Sequence, residues 1–113
     1  MAQLEKARIL PVDVMEHILL VLQETYSGEV TLTAQDGRFI QLEYAKKIRL
    51  DSWNESLLYK NNWSDEGREL LKERIEREFS ALLYGKLTIT VNQGKIRQMN
   101  RLERQRFIDG DGI

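Results

Sequence analysis

His17 is the single imidazole in the chain and there is no cysteine, so the residue types that most often carry nucleophilic, thiolate or zinc chemistry reduce to one histidine and a set of carboxylates. His17 falls where the apolar and polar sides of a helix meet, with no positioned partner, and a solvated or partly packed side chain accounts for it better than a general base. Glu69, Glu73, Glu76 and Glu78 interleave with Lys72, Arg74 and Arg77, the pattern of a salt-bridged solvent face rather than of an acid/base pair. Asp109-Gly-Asp-Gly begins like a calcium loop, but the remaining ligands do not follow. Gly28 and Gly85 lie at the ends of helical patterns, and no Gly-Lys-Ser/Thr sequence occurs, so neither belongs to a phosphate loop. No catalytic residue, cofactor or metal ligand is expected, and the chain reads as non-enzymatic.

Positive charge is the more interesting chemistry. Lys95, Arg97, Arg101, Arg104 and Arg106 are opposed only by Glu103, and Lys46, Lys47 and Arg49 stand together earlier. Lys46, Lys47, Arg49, Arg101, Arg104 and Arg106 are therefore candidate anion or nucleic-acid contacts. The same charges also suit solvent-exposed sheet edges, where they discourage pairing with other chains. A formal net charge of −1 supplies no whole-molecule field to draw the chain to nucleic acid.

What must position these residues is a repeat. Tyr26-Ser-Gly-Glu-Val-Thr-Leu-Thr-Ala-Gln-Asp-Gly-Arg superposes without a gap on Leu83-Tyr-Gly-Lys-Leu-Thr-Ile-Thr-Val-Asn-Gln-Gly-Lys at a constant shift of 57 residues. The shift also matches Glu16 to Glu73, Ile18 to Ile75, Gln41 to Gln98 and Arg49 to Arg106. In the first copy Asp13 and Glu16 have capping-box spacing, and Val14, Ile18, Val21, Leu22 and Thr25, joined by Met15 and Leu19, form an apolar helical stripe. In the second, Ser64 is the expected cap and Leu71, Ile75, Phe79 and Leu82 form the stripe. Gly28 and Gly85 are expected to stop the two helices in the left-handed conformation. Alternating Val30, Leu32, Ala34 and Thr31, Thr33 then read as a half-buried strand.

A three-residue Gln35-Asp36-Gly37 turn would set Leu32 opposite Ile40 and Val30 opposite Leu42, keeping apolar residues on one face. The matching Asn92-Gln93-Gly94 turn would set Leu87 opposite Met99 and Thr88 opposite Gln98. In this register Thr31, Thr33, Phe39, Gln41, Thr88, Thr90, Ile96 and Gln98 face away from the helices. Phe39 and Ile96 on that face suggest a protein partner, most simply a second copy in a homodimer. Between the copies, Ser52 and Glu55, with Trp53 and Leu57 a helical turn apart, predict a short connecting helix.

At this point the repeated residues are similar to a known family. Tyr84-Gly-Lys-Leu-Thr-Ile-Thr-Val-Asn-Gln-Gly-Lys-Ile-Arg-Gln, continuing to Arg106-Phe107, resembles the small bacterial YezD-like proteins, a family of unknown function. Its members carry a helix, a Tyr-Gly-x-Val strand, an Asp-Gly turn and a basic C-terminal strand. Residues 15–50 resemble the same unit, ending Lys46-Lys-Ile-Arg-Leu50. Ser27 stands where the motif has Tyr, and Gln93 where it has the turn Asp. The resemblance implies a tandem duplication of an α-β-β unit, a bacterial cytosolic setting and a loose association with sulfur assimilation, with no established reaction.

The expected fold is α+β, one domain over 1–113 made of two α-β-β repeats. The first unit spans 13–50, a connecting segment 51–63 and the second unit 64–107, with a four-stranded, mainly antiparallel sheet carrying both helices on one face. A chain of 113 residues with 42% hydrophobic and 31% charged side chains can bury one core. No apolar run approaches the ~18 to 20 residues that span a bilayer, so no membrane partner is expected and cytoplasm is the default location. The function expected is a non-enzymatic binding or regulatory module acting through the exposed sheet face. A nucleic-acid-binding protein is the alternative, and an enzyme using Arg and Thr on a small molecule comes third, signalled by a pocket joining polar groups of both copies.

Overall fold

The computed structural model describes residues 10–51, 59–105 and 107. Helix α1 (Val12–Gln23) is followed by strands β1 (Gly28–Gln35) and β2 (Arg38–Lys46). Helix α2 (Asp65–Ser80) and strands β3 (Gly85–Asn92) and β4 (Lys95–Glu103) repeat the pattern. The fold is α+β, as the repeat predicts. The connecting helix expected from Ser52 to Leu57, Arg106 and the Asp109-Gly-Asp-Gly segment lie outside the described residues.

Helix α2 starts as its sequence dictates. The Ser64 hydroxyl accepts from the Gly67 N–H at 3.0 Å, and Asp65 and Glu66 occupy the positive end of the dipole. Helix α1 does not form the expected capping box. It begins after Pro11, whose own side chain offers no cap, while Asp13 accepts from the adjacent Val14 N–H at 2.9 Å. Glu16 instead meets Arg68 of α2 in an ion pair between the helices.

Both helices also stop earlier than the glycine rule places them. Their last residues are Gln23 and Ser80, and Gly28 and Gly85 open the following strands. Only Gly85 has a positive φ, 149°. The requirement for glycine is close approach: a Cβ on Gly28 would collide with the Ala45 carbonyl oxygen, and one on Gly85 with that of Leu102. Thr25, past the end of α1, is buried because its hydroxyl donates to the Val21 carbonyl at 2.7 Å, satisfying an acceptor at the helix end.

The sheet runs β2-β1-β3-β4, entirely antiparallel. In the central pair Thr31 lies opposite Thr88, flanked by Val30 opposite Ile89 and Leu32 opposite Leu87. Since 31 and 88 differ by the repeat shift, an approximate two-fold axis passes through that pair. The units are also tied reciprocally. The turn N–H of Gly37 donates to Leu83 O at 3.0 Å, and that of Gly94 to Tyr26 O at 2.7 Å. Each hairpin tip thus holds the helix-to-strand connection of the other unit.

The hairpins differ from the expected register. Their loops are two residues long, Asp36-Gly37 and Gln93-Gly94, with φ of 56° and 71° in the first and 53° and 77° in the second. Positive φ at both central residues is the requirement of the I′ turn, whose twist suits a hairpin. Leu32 then pairs with Leu42 and Val30 with Tyr44, Leu87 with Arg101 and Thr88 with Asn100. One extra residue restores the phase in each copy. Ala34 pairs with Phe39 but Thr33 with Gln41, and Val91 pairs with Ile96 but Thr90 with Gln98, leaving Ile40 and Arg97 in bulges.

The core lies between helices and sheet. Met15, Ile18, Leu19 and Leu22 of α1 and Ile75 and Phe79 of α2 bury against Val30, Leu32, Ala34, Leu87, Ile89 and Val91. Phe39, Leu42, Ile96 and Met99 flank it from the edge strands.

Candidate functional site

The face away from the helices is set by the alternation of β1 and β3. With Val30, Leu32, Leu87 and Ile89 buried inward, Thr31, Thr33, Thr88 and Thr90 are half-buried on the other side. Gln41 lies opposite Thr33 and Gln98 opposite Thr90, so six of the eight expected face residues share this surface. On the two-fold axis the Thr31 and Thr88 hydroxyls share a hydrogen bond of 3.3 Å.

Phe39 and Ile96 are corrections. The bulges turn both to the helix side, where Phe39 meets Phe79 edge-on with ring centroids 6.0 Å apart and Ile96 packs against the core. The apolar anchors proposed for a homodimer across this face are therefore structural. What remains is a mainly polar lattice of Thr, Gln and Asn with Glu29, Glu43, Lys86 and Lys95 around it, and with Leu102, opposite Lys86, as an exposed apolar residue at one edge.

The candidate anion contacts do not converge. Arg101 projects to the helix side, 2.8 Å from both Glu78 of α2 and Glu103. Arg49 pairs with Asp51 at 3.3 Å. The Lys46 ammonium lies 5.9 Å from the centre of the Tyr44 ring, and the Lys47 N–H donates to Ser27 O at 2.8 Å. Arg106 lies outside the described residues. The strand residues of the helix-free face include no aromatic platform on which bases could stack.

Arg104 lines a cleft. At the corner where the β1–β2 turn meets the start of β3, a space of about 370 Å³ is bounded by Thr33, Ala34, Gln35, Asp36, Ile40, Tyr84 and Arg104. It joins polar groups of both units. The Tyr84 hydroxyl donates to Asp36 Oδ1, and the Arg104 N–H donates to Tyr84 O at 2.8 Å. Arg104 and Asp36 both line this space, and no ion pair joins them. Thr33 Oγ1 is buried with no hydrogen-bond partner among the described residues.

The two-fold equivalent corner is built differently. Ser27 replaces Tyr84, Gln93 replaces Asp36, Arg97 replaces Ile40 and Lys47 replaces Arg104. There the short Ser27 side chain is drawn into the turn, lying 3.3 Å from Asn92 Oδ1 and accepting from the Gln93 N–H at 3.1 Å. That corner carries no carboxylate. Sequence reasoning missed the Asp36–Tyr84 cleft, although its signal was present: these are two of the positions at which the repeats part company.

Two shallower grooves lie on the helix side, one of about 390 Å³ beside Trp63, Leu71 and Ile96 and one of about 280 Å³ between Arg74 and Arg97. His17 is exposed on α1, away from both the cleft and the sheet face. Among the described residues no group of three or more His, Cys, Asp or Glu is placed to hold a metal ion, and no helix is long and apolar enough to cross a membrane.

Two α-β-β units of one pattern, paired through their first strands about a two-fold axis, define a small duplicated α+β protein. The comparison of families agrees with that division. The model of the family described as "Uncharacterized small protein (DUF2292)" matches residues 14–50 and again 71–107. The chain belongs to this family, carrying its unit twice. No curated protein and no solved structure matches the chain.

Proposed function

We propose that the protein is a non-enzymatic binding or regulatory module that recognises its partner through the helix-free face of the sheet. The observation that carries this reading is the matched polar lattice: Thr31 and Thr88, Thr33 and Thr90, Gln41 and Gln98 recur at equivalent places on a surface left open by both helices. Hydrogen-bonding side chains on a rigid sheet are positioned at little entropic cost, as recognition requires. The cleft that joins polar groups of both units is the feature expected of the third reading, an enzyme acting on a small molecule, but its Asp36 carboxylate is already engaged by the Tyr84 hydroxyl. Nucleic acid is the weaker reading, since Arg49 and Arg101 are held in ion pairs and the face lacks aromatics.

Photo-cross-linking residues placed singly at Gln41 and Gln98, with Glu73 on the outer side of α2 as the control, test the reading in the native host. Reproducible adducts from the two face positions and none from Glu73 are expected. An adduct of twice the chain mass would identify the partner as a second copy. Adducts from Glu73 alone would place recognition on the helices and overturn the proposal.

A further inference from the structure

We infer that the corner cleft binds a small zwitterion, a molecule of amino-acid or dipeptide size carrying one ammonium and one carboxylate group. The inference goes beyond recognition by the sheet face and stands on the corner's own construction.

Three observations carry it. First, the cleft is lined by one acidic and one basic residue, Asp36 and Arg104, supplied by different units and joined by no ion pair. Opposite charges that line one space without meeting are complementary to a ligand with both charges. A simple anion would meet the Asp36 carboxylate, and a simple cation the Arg104 guanidinium. Second, Thr33 lines the cleft and its Oγ1 is buried without a partner among the described residues, and a buried unpaired hydroxyl is destabilising unless something supplies the hydrogen bond. Third, a volume of about 370 Å³ lies at the small end of the range for ligand sites, suited to a compact metabolite.

The roles follow from the chemistry of each group. Arg104 offers a planar fork of donors to the ligand carboxylate. Asp36 accepts from the ligand ammonium while Tyr84 holds its Oδ1 in place. Ile40, 52% exposed at the rim, gives an apolar surface for the ligand's side chain. The equivalent corner supplies the contrast. There Gln93 stands in place of Asp36, so its turn offers no carboxylate to an ammonium group.

Calorimetric titration of the full chain with L-leucine, L-phenylalanine and glycyl-L-leucine, at millimolar concentration, tests the inference, with the amide signals of Thr33, Gln35 and Tyr84 followed by NMR. At least one of these zwitterions should bind and shift those signals. N-acetyl-L-leucine, without the ammonium, and L-leucinamide, without the carboxylate, should each bind at least tenfold more weakly than leucine. Preference for glycyl-leucine over leucine would assign the longer charge separation of a dipeptide. Asp36→Asn keeps a residue that tolerates positive φ and an acceptor for Tyr84, and Arg104→Gln changes an exposed side chain, so both variants should fold. Each should lose at least tenfold in affinity. Absence of binding by all three zwitterions, or affinity unchanged in both variants, would overturn the site while leaving the cross-linking result on the sheet face to stand or fall separately.

Discussion

The two units share a backbone and differ in how they are fastened. In the second, Arg101 on the outer strand grips Glu78 of α2 and Glu103, each at 2.8 Å. The equivalent residues of the first are Tyr44, Val21 and Lys46, with Val21 buried and Tyr44 half open. One unit ties this seam with charge, and the other has no charged pair at the equivalent positions. Duplication within one chain releases each copy from pairing with an identical partner. The corners exploit that freedom further, with a carboxylate in the turn at Asp36 and an amide in its place at Gln93. What both copies keep is the geometry of glycine, bulge and turn on which the shared fold depends.

The shared geometry should break most easily at the glycines that open β1 and β3. Gly28→Ala and Gly85→Ala each force a Cβ into a backbone carbonyl of the neighbouring strand, and Gly85 adds strain at φ 149°. We expect a loss of about 3 kcal/mol or more for Gly85→Ala and about 2 kcal/mol for Gly28→Ala, measured as shifts of the urea midpoint. Equal losses would show that close approach alone matters. Negligible losses would mean that neither strand start is as tight as described.

Next in size are the residues beside the bulges. Both are partly buried, but Phe39 meets the buried Phe79 ring edge-on whereas its counterpart Ile96 is aliphatic. Phe39→Ala should cost about 2–3 kcal/mol and Ile96→Ala about 1–2 kcal/mol, both discounted from full-burial values. A variant carrying Phe39→Ser and Ile96→Ser should lose its cooperative melt. If it stayed folded and changed only in self-association by sedimentation, both residues would have to face outward after all.

These two residues also show where the sequence was legible and where it was not. The repeat shift exposed the fold class, both units and the Ser64 cap, because helical spacing and strand alternation recur at matched positions. Register failed because one bulged residue reverses the phase of a strand, and Ile40 is apolar enough to fit either phase. A sharper signal was available. Phe39 and Leu42 are three apart, as are Ile96 and Met99, and two apolar residues at odd spacing share a sheet face only if a bulge lies between them. The glycines misled for a related reason: spacing showed a break after each helix, but not that a neighbouring strand passes too close for a side chain. Strand order was hidden because the repeat leaves open which strands meet at the axis. The cleft was hidden because Asp36 and Tyr84 are 48 residues apart and belong to different units.

The smallest expected effect sharpens the contrast between the seams. Arg101 is 36% exposed and Glu78 26% exposed, so water and salt screen much of their attraction. A double-mutant cycle with Arg101→Gln and Glu78→Gln should give a coupling of about 0.5 kcal/mol at low ionic strength, falling towards zero in concentrated sodium chloride. At the equivalent position Tyr44 is 54% exposed, so Tyr44→Ala should cost about 0.5 kcal/mol or less, nearly independent of salt. Urea melts of the variants at low and high salt measure both. If the Arg101–Glu78 coupling kept its full value in high salt, the charged seam would be holding by packing of the Arg101 stem, and the two units would be fastened in the same way. If the cost of Tyr44→Ala disappeared in salt, the Lys46 ammonium near its ring would be the contact that matters, and the first unit too would be fastened there by charge.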